Sequence, residues 1–332
     1  MIYIFSIFAI YFINQFFKKK SLLINNTGQP HQILSEKKIV PLTGGIFLII
    51  FFLITLNYNY DFLIFISVLF LIGIATDLEI IKSPSKRFLI QIFFIFIFIF
   101  YFDLSVNDLR IDKINLFLEN NIFSFLFTSL CFLVLINGSN FIDGNNGITL
   151  GYYLIIFIVL FNLSNDHKII IDNELVKNLL IFLTILLAFN LLNHFYLGDS
   201  GVYLISIFSG YFLINLINQN NSVSPYLIAN LLWYPSFELL FSMIRKLNNK
   251  FSPLKPDTNH LHQLTFKFLV NNLKFPRNYI NSLTGLLINT YNLIILFICS
   301  LNYSSTDFQI ILLLTNIVLY VSMYYYLKKK NS

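Results

Sequence analysis

Residues 121–163 read NIFSFLFTSLCFLVLINGSNFIDGNNGITLGYYLIIFIVLFNL. Two apolar runs, 121–137 and 148–163, flank a polar stretch, and the only acidic or basic side chain in the whole segment is Asp143. Runs of this kind suit helices in the ~30 Å of hydrocarbon of a bilayer. A carboxylate framed by Gly and Asn at the mouths of two such spans is costly to keep, so function is the default reading for it. The framing recurs at Leu197-Gly-Asp-Ser-Gly201, around Asp199.

Composition extends this reading to the whole chain. The 332 residues are 57% hydrophobic and 11% charged, with 39 Phe and 19 Tyr and a mean hydropathy of +0.72. That balance excludes a soluble domain. Eleven helices are predicted, over 2–17, 42–56, 62–76, 88–102, 121–137, 148–163, 175–192, 201–218, 225–243, 279–299 and 308–327, in an all-α polytopic membrane protein forming one domain over 1–332. The first run lacks a charged leader and a small-residue cleavage site, so it reads as a retained span. Segment 103–120 is the one sizeable loop at its face, and a short hairpin is expected there. Cys131 and Cys299 sit inside apolar runs and offer neither metal spacing nor a disulfide framework.

Charge sets the expected orientation. With the N-terminus outside, only Arg110, Lys113, Lys168 and Lys177 of the 22 basic residues face out, and the C-terminus is cytoplasmic. The expected location is the cell's inner (plasma) membrane, multi-pass. The net charge of +6 then follows from basic cytoplasmic loops and calls for no nucleic-acid partner.

The same orientation gathers the polar clusters on the cytoplasmic face: Pro41-Leu-Thr-Gly-Gly45, Thr76-Asp77 with Lys82, Lys86 and Arg87, Asn137 to Gly147, Asn190 to Asp199, and Pro256-Asp-Thr-Asn-His260-Leu-His262-Gln263. Several loops meeting at one face suit a site built between helices. Mg²⁺ takes oxygen ligands, commonly one or two carboxylates plus substrate phosphates, and Asp199 with Asn140 or Asp143 supplies them. Lys, Arg and His would absorb charge on a transferring phosphoryl group.

In order along the chain, P-L-T-G-G, D-L-x(3)-K-S-P-x-K, N-x-x-N-F-I-D-G-x-N-G, F-N-x(6)-L-G-D-S-G and P-D-x-x-H-L-H resemble the polyprenyl-phosphate N-acetylhexosamine-1-phosphate transferase family, from about Pro41 to Gln263. The resemblance implies Mg²⁺-dependent transfer, with Mn²⁺ as an alternative ion, of a sugar-1-phosphate from a UDP-sugar to a polyprenyl phosphate in the lipid bilayer, releasing UMP. It also implies roles. Asp199 and Asn140 match metal ligands; Asp143, Asn146 and Asn190 match the nucleotide pocket; His260 and His262 match a motif that contacts the diphosphate; Lys86 or Arg87 serves the lipid phosphate. Asp77 is carried over as catalytic. Family members usually have two adjacent acids where this chain has Thr76-Asp77, a second acid at Asn146, and another His at Gln263. A subset linked to surface polysaccharide has a Glu-Asp pair, an Asn in the later position and a His-Leu-His-Gln ending; Thr76 apart, the chain resembles it most.

Plainer readings stand beside these. Asp199 could be an N-cap, Asp143 and Asn140 could satisfy backbone in a dipping loop, the histidines could be surface residues, Asp77 could pair with Lys82 or Lys86, and Lys86 and Arg87 could only set topology or meet anionic lipid. Glu238, an intramembrane acid, is expected to pair with Arg245 or Lys246. A transporter or flippase is the alternative from another class, but the charges cluster at one face rather than across midplane repeats. An inactive scaffold is the third, kept open by Thr76 and Asn146. Sugar, pathway and oligomeric state stay open, a homodimer among the options. The topology has a direct test: cysteine labels at Asn57, Lys113, Asp166 and Asn220 are expected to react from outside, and those at Lys18, Lys82, Asn248 and Lys330 only from inside. Outside labelling at Asn248 would overturn the orientation.

Overall fold

In the computed structural model, residues 2–24, 40–56, 59–166, 168–250, 252 and 257–331 are described, and among them every regular element is a helix. The order is α1 (Ile2–Lys20), α2 (Gly44–Thr55), α3 (Tyr60–Asp77), α4 (Pro84–Tyr101), α5 (Asp112–Leu118), α6 (Asn121–Ile142), α7 (Ile148–Asn165), α8 (Asn173–Leu191), α9 (Gly198–Gln219), α10 (Pro225–Leu231), α11 (Trp233–Asn248), α12 (Leu261–Asn272), α13 (Arg277–Leu301) and α14 (Thr306–Asn331). Of the motif residues, Pro256 lies outside the described residues, as do Lys37, Lys38, Asn57 and Lys255 of the topology argument.

Eight helices are long and apolar enough to cross a membrane, and the pair α10 and α11 raises this to nine if it counts as one span. This multi-pass bundle accounts for nine of the eleven expected spans. The other two are α1 and α2, and α2 has 12 residues, about 18 Å of helix at 1.5 Å per residue. Three expectations need correction. The segment 103–120 contains the short helix α5 in place of a hairpin. The basic segment after α11 contains α12, unforeseen, whose start is tied by the His260 N–H donating to Gln263 Oε1 at 3.2 Å.

The third correction concerns the ninth span, which is bent by 71° between α10 and α11. Pro235 has no N–H to give the carbonyl of Leu231, and its ring would press on that carbonyl in a straight helix. Buried Tyr152 repairs the gap: its hydroxyl donates to Leu231 O at 2.8 Å and accepts from the Tyr234 N–H at 3.3 Å.

Helices α7 and α9 are the hub, with 72% and 78% of their apolar windows buried against 22–44% in the other long spans. Glycines let neighbours reach α9. A Cβ on Gly73 of α3 would lie 2.3 Å from Ser200 Cα, and one on Gly45 of α2 would lie 2.3 Å from Ser200 Oγ. Two asparagines of α13, eight residues apart with Gly285 midway, then cradle the turn before α7: Asn281 Oδ1 accepts from Asn145 Nδ2 (2.6 Å) and from the Asn146 N–H (3.2 Å), and Asn289 Nδ2 donates to Gly147 O (2.7 Å). Gly147 has φ +80°, which favours glycine.

Because the α3–α9 contact is backbone against backbone, Gly73→Ala is expected to cost about 1–3 kcal/mol through overpacking. Leu71→Ala, on an exposed side chain of the same helix, should change little. Thermal unfolding in detergent, with both variants losing equal stability, would refute the close-approach account.

Candidate active site

The first turn of α9 has no side-chain cap of its own, since Leu197 occupies the cap position. Asp77, the last residue of α3, supplies it from outside. Its Oδ1 accepts from the Asp199 N–H at 2.8 Å, and its Oδ2 accepts from the Ser200 N–H at 3.1 Å and the Ser200 hydroxyl at 2.7 Å. A carboxylate at a helix N-terminus meets both unpaired N–H groups and the positive end of the helix dipole. Gly198, at φ +72°, is required here, because a Cβ would sit 2.8 Å from Asp77 Oδ2. The Pro41 to Gly45 segment is stitched to the same turn, with the Tyr196 N–H donating to Pro41 O (2.9 Å) and the Gly44 N–H donating to Tyr196 O (3.2 Å).

Capping by Asp77 leaves the Asp199 side chain free to face the neighbouring helices. Asn140 Nδ2 lies 2.6 Å from its Oδ1, and Arg87 Nη1 donates to its Oδ2 at 3.1 Å. Asn140 belongs to α6, which runs on to Ile142, so it is held on a helix and not on the expected loop. Asp143, just past that helix, is half-buried. Burial, with the charges of Asp199 and Asp77 adding to it, raises its carboxyl to about 8.

The histidines divide. His260 has Nδ1 3.0 Å from Glu238 Oε1 and Nε2 3.1 Å from Asp257 Oδ1. Burial opposes its protonation, but the contacts with Asp257 and Glu238 prevail and raise its pKa. Asp257 is in turn bound by Arg245 Nη2 at 2.7 Å. Against burial, His260 and Arg245 hold the Asp257 carboxyl below the usual carboxylate range. His262 stacks on His260 with ring centroids 5.6 Å apart and planes 4° from parallel. Burial, with the His260 charge beside it, lowers its pKa to about 3. Both its ring nitrogens lack partners among the described residues, and a Cβ on Gly144 would lie 2.2 Å from its Nε2. His260 is thus a held cation, and His262 a neutral ring against the Asp143-Gly144 turn with its hydrogen-bonding capacity unspent.

Of the remaining candidates, Arg87 joins the Asp199 cluster, whereas the Lys86 side chain is exposed and has no partner among the described residues. Asn190 is a clamp: its Oδ1 accepts from the Gly147 N–H at 2.6 Å and its Nδ2 donates to Phe195 O at 2.9 Å. Asn146 Nδ2 donates to Asn193 Oδ1 at 2.7 Å. The expected partners of Glu238, Arg245 and Lys246, are wrong; it accepts from His260, from the Leu261 N–H at 3.3 Å and from the Tyr320 hydroxyl at 2.7 Å. Ser200, Asp257, Arg245, Tyr320, Asn281 and Asn289 were not singled out as site residues. For Asn281, Gly285 and Asn289, the readable signal is a four-residue repeat of small and polar residues within an apolar span.

Residues 59–217 match the profile of glycosyl transferase family 4. The match supports a polyprenyl-phosphate sugar-phosphate transferase in general and a membrane setting for it. The matched stretch carries Asp77, Arg87, Asn140, Asp143 and Asp199, while the histidine pair and α13 lie beyond it. No curated protein matches the chain.

If Asp77 holds the start of α9, Asp77→Asn is expected to speed hydrogen exchange at the Asp199 and Ser200 amides by about fivefold or more, since losing a cap costs ~1 kcal/mol or above. Unchanged exchange at both amides would remove the capping role.

Proposed function

We propose that this protein transfers a sugar-1-phosphate, of the N-acetylhexosamine class, from a UDP-sugar to undecaprenyl or another polyprenyl phosphate at the cytoplasmic face of the plasma membrane, releasing UMP and starting a lipid-linked surface polysaccharide. The observation that carries the proposal is the placement of Asp199, fixed at the first turn of α9 between Asn140 and Arg87, with the neutral ring of His262 against the turn that bears Asp143.

The donor set fits a hard divalent cation. Asp199, and Asn140 once its amide is turned so that Oδ1 takes the place of the Nδ2 now 2.6 Å from Asp199, would hold Mg²⁺, and substrate phosphates would complete its shell, as is usual for this ion. Among the described residues no three His, Cys, Asp or Glu side chains gather as a metal-holding group, which accords with a site finished by substrate. The ion would supply positive charge on the diphosphate where charge develops during transfer.

The chain's own groups would do the rest. Arg87 and the His260 cation draw the nucleotide diphosphate and the lipid phosphate into one place and offset their repulsion. Neutral His262 would give its N–H to a phosphate oxygen. Thr76 does not stand in for an acid, because its hydroxyl donates to Ile72 O at 3.0 Å within its own helix. None is required there: a phosphate monoester has its second pKa near 6 by analogy with phosphorylated side chains, so the attacking group is largely deprotonated at neutral pH.

Purified protein given a panel of UDP-sugars, polyprenyl phosphate and Mg²⁺ is expected to release UMP without Thr76→Asp, to lose activity with EDTA, and to fall at least ~100-fold in turnover for Asp199→Asn. No UMP from a folded native chain across the panel would overturn the reading and favour a scaffold. Release that appears only in Thr76→Asp would show the first acid to be essential.

A further inference from the structure

The last helix, α14, reaches the histidine pair through a side chain that the proposed chemistry does not use. Tyr320 is 1% exposed, and its hydroxyl donates to Glu238 Oε2 at 2.7 Å. Glu238, itself 1% exposed, turns its other oxygen to His260 Nδ1 and to the Leu261 N–H. Among the described residues, the acceptor bonds of this buried carboxylate therefore come from the start of α12 and from Tyr320. The ring of Tyr320 is boxed edge-on by Phe237 at 5.0 Å, Phe241 at 5.4 Å and Trp233 at 6.3 Å, so the aim of the hydroxyl is set by packing and not by the bond alone.

One turn further along α14, the Tyr324 ring lies 6.0 Å from the guanidinium of Arg245, and Arg245 binds Asp257, the carboxylate that faces His260 Nε2. Residues spaced i and i+4 on α14 thus lie beside both sides of the network, Tyr320 by a hydrogen bond and Tyr324 by a ring contact alone. A buried carboxylate that loses a donor must turn, take up a proton or draw more strongly on its remaining partners. Each of these would change how the His260 ring sits under His262.

We propose that Tyr320 is a positioning residue for the histidine pair: by holding Glu238 in one orientation from the last helix, it fixes the His260 ring on which His262 stacks. The kinetic part of this proposal rests on the transferase reading above; the geometric part does not.

A double-mutant cycle separates this role from packing. Tyr320→Phe keeps the ring and is expected to lower kcat for UMP release about 5–10-fold, with KM for the UDP-sugar within about twofold. In a Glu238→Gln background the same change is expected to cost less than about twofold, because the carboxylate it serves is gone. An equal cost in both backgrounds would overturn the proposal and leave Tyr320 a packing residue. Histidine-selective ¹⁵N labelling gives a readout without substrate. The Nδ1–H resonance of His260, assigned by its loss in His260→Gln, is expected to shift in Tyr320→Phe, and an unmoved resonance would overturn the proposal. A native chain that releases no UMP would refute the transferase reading, while the resonance would still decide the role of Tyr320.

Discussion

A carboxylate at the end of one helix closes the beginning of another, and the motif end of the molecule is built around that contact. Asp77 takes the Asp199 and Ser200 N–H groups in the first turn of α9 and the hydroxyl of Ser200, which ties α3 to the most buried helix of the bundle. Low dielectric makes such a bond strong when made and expensive when missing. It also explains an economy in the sequence: with the cap supplied from α3, Asp199 need not serve its own helix and can present its carboxylate to Asn140 and Arg87.

The histidines show the same division between holding and acting. His260 contacts a carboxylate at each ring nitrogen, so it has charge to offer but little freedom. His262, one helical step away and parallel to it, carries no such obligations. Two histidines that look equivalent in the string His260-Leu-His262 therefore have opposite protonation preferences, set by which of them the acids reach. Gln263 belongs to the same design, since its side chain accepts the His260 N–H and helps start α12.

The membrane bundle was legible because long apolar runs are a composition signal, and the motif loops were legible because acids among hydrocarbon need a reason. Asp199, Asn140 and Arg87, read from three separate motifs, lie together in the fold. What escaped was whatever depends on partners far apart in the chain. Asp77 was read as a catalytic acid, and only the fold shows its bonds to Asp199 and Ser200, 122 and 123 residues on. Glu238 was matched to nearby bases because distance in sequence was the only guide. The break at Leu232 was hidden by continuous hydrophobicity, although Pro235 was a readable warning. Helix α12 was lost in a basic stretch whose helical face is modest beside the spans around it.

The grip of α13 on the turn before α7 bears on how this protein can be taken apart. Gly147 and Ile148 hand their carbonyls to Asn289, and the backbone of Asn146 rests against Gly285 so closely that even a methyl group would not fit. The stretch that carries the family's signature thus borrows a wall from a helix some 130 residues downstream, beyond the end of that signature. It is not a cassette. Grafting residues 59–217 into a related bundle would carry the acids across but leave their supporting turn unmoored, unless the Asn281, Gly285 and Asn289 face travelled with it.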